Sequence, residues 1–129
     1  MNKLNEIYKC NVCGNMVEMV HASKGKLSFC SVFTQIQASK SADIGLEKHV
    51  PLVTITDNGI DIVVGSVEHP MREDHYIEWI EVVTTRGTYR KYLNPGERPS
   101  ATFRCRGKAT QVREYCNLHG LWKVDIAQN

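Results

Sequence analysis

Leu52-Val53-Thr54-Ile55-Thr56-Asp57-Asn58-Gly59-Ile60-Asp61-Ile62-Val63-Val64 decides the fold. Two runs rich in β-branched residues flank Asp57-Asn58-Gly59, and an Asn-Gly step between such runs is a strong short-range hairpin signal. The pattern predicts strands over 52–56 and 60–67. Working downstream, further strands are expected over 77–84, 88–93, 101–105 and 110–115, separated by Arg86-Gly87, Asn94-Pro95-Gly96 and Arg106-Gly107. Six or seven short strands at this spacing point to an all-β domain, an antiparallel sandwich. Upstream, short strands are expected over 7–10, 16–21 and 26–30, with turns at Gly14-Asn15 and Ser23-Lys24-Gly25. The polar, small-residue stretch over 34–41 reads as a linker, and a single helical turn capped by Ser41 or Asp43 follows it. The expected division is a small head over 1–37 and a sandwich over 38–129.

Bulk properties narrow the function. The chain has 129 residues, 42% hydrophobic and 23% charged, with a net charge of +2. That length holds one good core plus a small appendage that needs stapling. Interspersed charges give no basic stripe, so nucleic acid is not an expected partner. No apolar run approaches the roughly 20 residues of a membrane span. Residues 1–7 have no signal-peptide hydrophobic core, so the cytoplasm is the expected location. Five cysteines, an odd number that includes Cys10-Asn11-Val12-Cys13, then read as metal or redox ligands rather than a disulfide framework.

Four of the five histidines, His49, His69, His75 and His119, fall in the sandwich portion together with Cys116. Imidazole nitrogen and soft thiolate sulfur in one shell suit a redox-active first-row metal. Five protein ligands on iron would leave one octahedral position for a small diatomic. Any single histidine beside a strand is more often a surface or core residue than a ligand. The spacing argues for the set: Cys116 and His119 lie three residues apart, where one tight turn brings two donors to one ion. His69 precedes Pro70, which favours an extended backbone, and His75 follows six residues on. Cys105 alternates with Ala101 and Phe103 on one strand face and reads as structural. The aromatic residues, Trp79 and Trp122 among them, read first as packing groups.

Several segments resemble a known family. Glu47-Lys48-His49-Val50-Pro51, Val64-Gly65-Ser66-Val67-Glu68-His69-Pro70-Met71, His75-Tyr76-Ile77-Glu78-Trp79 and Glu114-Tyr115-Cys116-Asn117-Leu118-His119-Gly120 resemble the superoxide reductase motifs of desulfoferrodoxin and neelaredoxin. Tyr8-Lys9-Cys10-Asn11-Val12-Cys13-Gly14-Asn15 resembles the desulforedoxin-type head of the two-centre members. The resemblance implies an immunoglobulin-like sandwich behind a small β head. It implies one iron with the four histidines in a plane and Cys116 axial, and one-electron reduction of superoxide to hydrogen peroxide. Lys48 is then a fixed cation that attracts the anionic substrate, and Glu47 a carboxylate able to occupy the vacant position after oxidation. The backbone N–H groups of Leu118 and His119 are candidate donors to the Cys116 sulfur. A rubredoxin-type protein is the implied electron donor, and headed members imply a homodimer.

The head departs from its family. Aligned without gaps, the adjacent cysteine pair of the family falls on Phe29-Cys30, leaving Cys10, Cys13 and Cys30 where four thiolates make a tetrahedron. Three readings stay open. The head holds no metal and serves folding or dimerisation; it holds zinc or iron through three cysteines and a donor such as Ser31, His21 or water; or its cysteines form a disulfide. Two other function classes also fit parts of the pattern. A blue-copper-like electron carrier would use a sandwich with a C-terminal Cys-x2-His, but no methionine follows His119 and two histidines would go unused. A zinc-binding interaction module built on Cys10 and Cys13 is weakened by the missing fourth cysteine.

Overall fold

The computed structural model describes residues 3–25, 33–35 and 46–127. The chain divides into two compact units, Met1–Gln37 and Ala38–Asn129. The first is a three-stranded antiparallel sheet of β1 (Ile7–Cys10), β2 (Met16–Glu18) and β3 (Phe33–Gln35), in the order β2-β1-β3. Ile7 and Cys10 are its buried residues on β1. β3 corrects one expectation, because Thr34 and Gln35 open the stretch read as a linker yet pair with Lys9 and Tyr8. Polar composition does not exclude an edge strand, since the backbone ladder and the strand's context outweigh intrinsic preference. β2 stops at Glu18, short of the expected end at His21, which is exposed. The strand expected over 26–30, the rest of the proposed linker and the cap at Ser41 or Asp43 lie outside the described residues.

The second unit is nearly all β. A four-residue helical turn, α1 (Leu46–His49), leads into β4 (Pro51–Thr56) and β5 (Gly59–Val64). These two pair from Pro51↔Val64 to Thr56↔Gly59, and the Thr56 hydroxyl donates to the Gly59 carbonyl at 3.2 Å. The glycine is required by proximity: a Cβ there would lie 2.2 Å from the Phe103 carbonyl oxygen on the adjacent strand. β5 ends at Val64 rather than at the expected Val67, because Gly65 takes φ +88° and turns the chain out of the sheet. β6 (Ile77–Thr84), β7 (Gly87–Tyr92), β8 (Ser100–Phe103), β9 (Ala109–Cys116) and β10 (Gly120–Asp125) complete the unit. β8 stops before Cys105, which is half-buried and packs against the core as a structural residue would. β10 is a strand the sequence pattern did not single out.

The seven strands form two sheets, β4-β5-β8 and β10-β9-β6-β7. Three plus four antiparallel strands with crossovers between sheets is the arrangement of an immunoglobulin-like sandwich. Ile60, Ile62 and Val64 from one sheet meet Ile80, Val82 and Val112 from the other in a single buried cluster. Burying each of these side chains contributes on the order of 1.5–3 kcal/mol. The outer face of the larger sheet carries a cross-strand row of Lys123, Arg113, Glu81 and Arg90. Fully buried Glu81 accepts from both Arg90 and Arg113, so its charge is paired on each side.

Candidate metal centre

One end of the sandwich gathers the donors, for a topological reason. Pro51 pairs with Val64, and Cys116 pairs with both Ile77 and Gly120, so β4, β5, β6, β9 and β10 all start or stop there. His49 closes α1 just before β4. His69 follows β5, its N–H donating to the Val64 carbonyl at 3.4 Å. His75 precedes β6 from a tight turn in which Arg72 and His75 exchange backbone hydrogen bonds at 2.9 and 3.1 Å. Cys116 ends β9, and His119 stands in the turn to β10.

The four imidazoles form a closed ring. Successive centroid separations are 4.7 Å (His69–His49), 4.9 Å (His49–His119), 5.0 Å (His119–His75) and 4.6 Å (His75–His69). The His49–His75 separation is 6.5 Å, as expected for the diagonal of a near-square. Neighbouring rings are steeply inclined, between 72° and 90°. His49 Nε2 lies 3.1 Å from His69 Nε2 and 3.1 Å from His119 Nδ1. His75 Nε2 is buried without a hydrogen-bond partner among the described residues. Cys116 Sγ is 3.9 Å from His119 Nδ1, and the donor atoms of His49, His75, Cys116 and His119 all lie within 4.8 Å of one another. His69 stands outside that mutual grouping, but its contact with His49 Nε2 brings its donor to the same centre.

These contacts test whether a metal fits. His69 Nδ1 lies 2.7 Å from the Pro70 carbonyl, which can only accept, so Nδ1 carries the proton and Nε2 presents a lone pair. His49 Nε2 has at most one proton for two facing nitrogens. Its two 3.1 Å contacts therefore cannot both be hydrogen bonds. Nitrogens at right angles about 2.0–2.1 Å from one ion are about 3 Å apart, which matches the separations here. Burial pushes His69 down to about 4, against the opposing Pro70 hydrogen bond and with the neighbouring imidazoles adding to the fall. His75 is lowered chiefly by burial as well. The His69 and His75 rings are therefore neutral near pH 7, the form that ligates metals. The set fits a first-row transition metal.

The Cys116 thiol is pushed up by burial, and the backbone N–H groups of His119 and Leu118 pull it back. Donors aimed at sulfur stabilise a thiolate, and a bound cation would complete its deprotonation. Lys48 is exposed on α1, and its positive field reaches His75. Glu47 lies beside it in α1, but its side chain is outside the described residues. In the head, Cys10 is fully buried and Cys13 exposed; the N–H groups of Val12 and Cys13 donate to Cys10 Sγ at 3.4 and 3.5 Å. Phe29, Cys30 and Ser31 lie outside the described residues.

Two contributors escaped the sequence reading. Trp122, read as packing, stacks on the His49 ring at 4.7 Å and 17°, and its indole N–H donates to the His119 carbonyl at 3.1 Å. Asn117 bonds to the His75 segment rather than to its own turn. The signal for Trp122 was its position three residues beyond His119 in a run of alternating apolar residues.

Comparison with known proteins gives the same picture. The desulfoferrodoxin family model matches residues 41–125, and the model of the desulfoferrodoxin N-terminal domain matches residues 2–32. Desulfoferrodoxin of Nitratidesulfovibrio vulgaris is 48% identical over 93% of this chain and 95% of its own length. The crystal structure of superoxide reductase from Treponema pallidum is similar in fold, with a TM-score of 0.74, 27% identity and coverage of 95% of this chain and 98% of that one. The superoxide reductase of Giardia intestinalis is 34% identical with a TM-score of 0.55, covering 64% of this chain and 99% of that one.

Proposed function

Because the chain belongs to the desulfoferrodoxin family, we propose that it is a superoxide reductase. The observation that carries this is the near-square of four imidazoles with one buried cysteine sulfur beside it. Iron held there would supply the one electron that, with two protons, converts superoxide to hydrogen peroxide. His49, His69, His75 and His119 would hold the metal through ring nitrogens, which add no negative charge to it. Cys116 supplies the single anionic ligand and donates electron density. The N–H groups of Leu118 and His119 moderate that donation at the sulfur.

Lys48 attracts the substrate anion and orients water for proton delivery, and Glu47 takes the part of the family's carboxylate that can occupy the vacant metal position after oxidation. The exposure of Lys48 beside His49 supports its part in this reading. The chain carries one catalytic iron, receives electrons from a rubredoxin-type donor, and works in the cytoplasm as a homodimer. In the head, Cys10, Cys13 and Cys30 form an incomplete set, and the hydrogen-bonded Cys10–Cys13 turn leaves zinc or iron with a fourth donor as the metal-bound alternative.

The test is stoichiometric. Iron-loaded, reduced protein given limiting superoxide should yield one peroxide for each superoxide consumed. One peroxide for every two would mean dismutation, and no consumption would remove the enzyme reading altogether.

A further inference from the structure

We propose that Asn117 is a positioning residue that clamps the His75 segment to the Cys116–His119 turn. The inference rests on reading the histidine–cysteine cluster as the iron site. Asn117 Oδ1 accepts from the Tyr76 N–H at 2.9 Å, and its Nδ2 donates to the Asp74 carbonyl at 3.1 Å. Its own backbone N–H donates to the Tyr76 carbonyl at 3.2 Å. The three bonds grip the backbone on both sides of His75, more than 40 residues away in sequence.

A side-chain amide is suited to this place because it repeats the chemistry of a peptide group. β9 and β6 end their ladder at the pair Cys116↔Ile77. One carbonyl and one NH2 on the Asn117 side chain extend that ladder past the last strand residue. The turn bearing Cys116 and His119 and the loop bearing His75 thereby become one unit. Without the clamp, the backbone of His75 itself is held by the two bonds of its own Arg72–His75 turn. Freedom of that loop would have to be lost each time metal binds, so the clamp raises affinity through preorganisation. Asn117→Asp keeps the acceptor for Tyr76 but sets oxygen against the Asp74 carbonyl, so it should behave as a partial loss at best.

The experiment measures Co(II) affinity of the full-length protein by chelator competition, together with the visible band of the iron-loaded oxidised form. Asn117→Ala should weaken Co(II) binding by about tenfold, the lower end of what ligand-orienting partners contribute, and should shift or broaden the band. Asn117→Asp should fall between it and wild type. Gln111→Ala is the control, because the Gln111 side chain donates to Asp125 at the end of the β9–β10 pairing away from Cys116, so its loss should leave affinity and band unchanged. Wild-type affinity and spectrum in Asn117→Ala would overturn the clamp. So would an equal loss in Gln111→Ala, which would reduce the effect to general stability. Failure of wild type itself to bind Co(II) would instead overturn the metal-site reading on which the clamp rests.

Discussion

Glu114 stands on β9 between Val112 and Cys116, fully buried, and neither carboxylate oxygen has a hydrogen-bond partner among the described residues. Burial holds its pKa well above the ordinary carboxylate value. The folded state keeps this proton while the unfolded chain releases it above about pH 4.3. The folded state therefore binds more protons over that range, and stability falls as pH rises. The limiting slope is about 1.4 kcal/mol per pH unit for one proton. Glu114→Gln removes the titration, so the metal-free variant should lose less stability than wild type between pH 5 and 8 in urea unfolding; parallel slopes would refute this. Cys116→Ser replaces a soft donor by a harder one and should abolish the visible thiolate charge-transfer band and most turnover. Both surviving together would remove Cys116 from the metal.

Among the elements, the β4–β5 hairpin and α1 make the sharpest predictions. Gly59→Ala drives a Cβ into the Phe103 carbonyl, a backbone atom that cannot swing aside, so β5 and β8 must separate. The expected destabilisation is about 1–3 kcal/mol, read as a lowered unfolding midpoint with an unchanged visible spectrum, since the hairpin turn lies at the opposite end of β5 from Val64. Lys48 is exposed in the last turn of its short helix, beside buried His49. Lys48→Ala should lower the second-order rate with superoxide by roughly tenfold and flatten its dependence on ionic strength. Iron content should stay the same. A pulse-radiolysis rate equal to wild type at low salt would exclude steering by this side chain.

For the molecule as a whole, the chain divides into two compact units. Every proposed catalytic group lies in the second unit, from Glu47 to His119, so turnover should not need a metal in the head. With Phe29 where a thiolate is expected, the purified protein should lack the visible spectrum of a four-sulfur ferric centre and still reduce superoxide. Phe29→Cys should restore a tetrahedral set and add about one iron per chain. Two tightly bound irons in the unmutated protein would mean that Ser31, His21 or a neighbouring subunit completes the site.

Much of this protein was legible in its residues. Asp57-Asn58-Gly59 between β-branched runs determined the hairpin, because turn chemistry and alternation are local. The motif-bearing histidines and Cys116 announced a metal set through donor type and short spacing. The end of β5, the strand β3 and the strand β10 were decided by tertiary structure. A glycine turn, a polar edge strand and a terminal strand each depend on the neighbour that supplies the ladder. The square of imidazoles also belongs to the tertiary structure: its corners come from four segments, and only the pairing of β4 with β5 and of β9 with β6 and β10 brings them together. Asn117 and Trp122 were invisible as site residues for the same reason. Their chemistry lies in what they touch across the fold, and local sequence does not encode that.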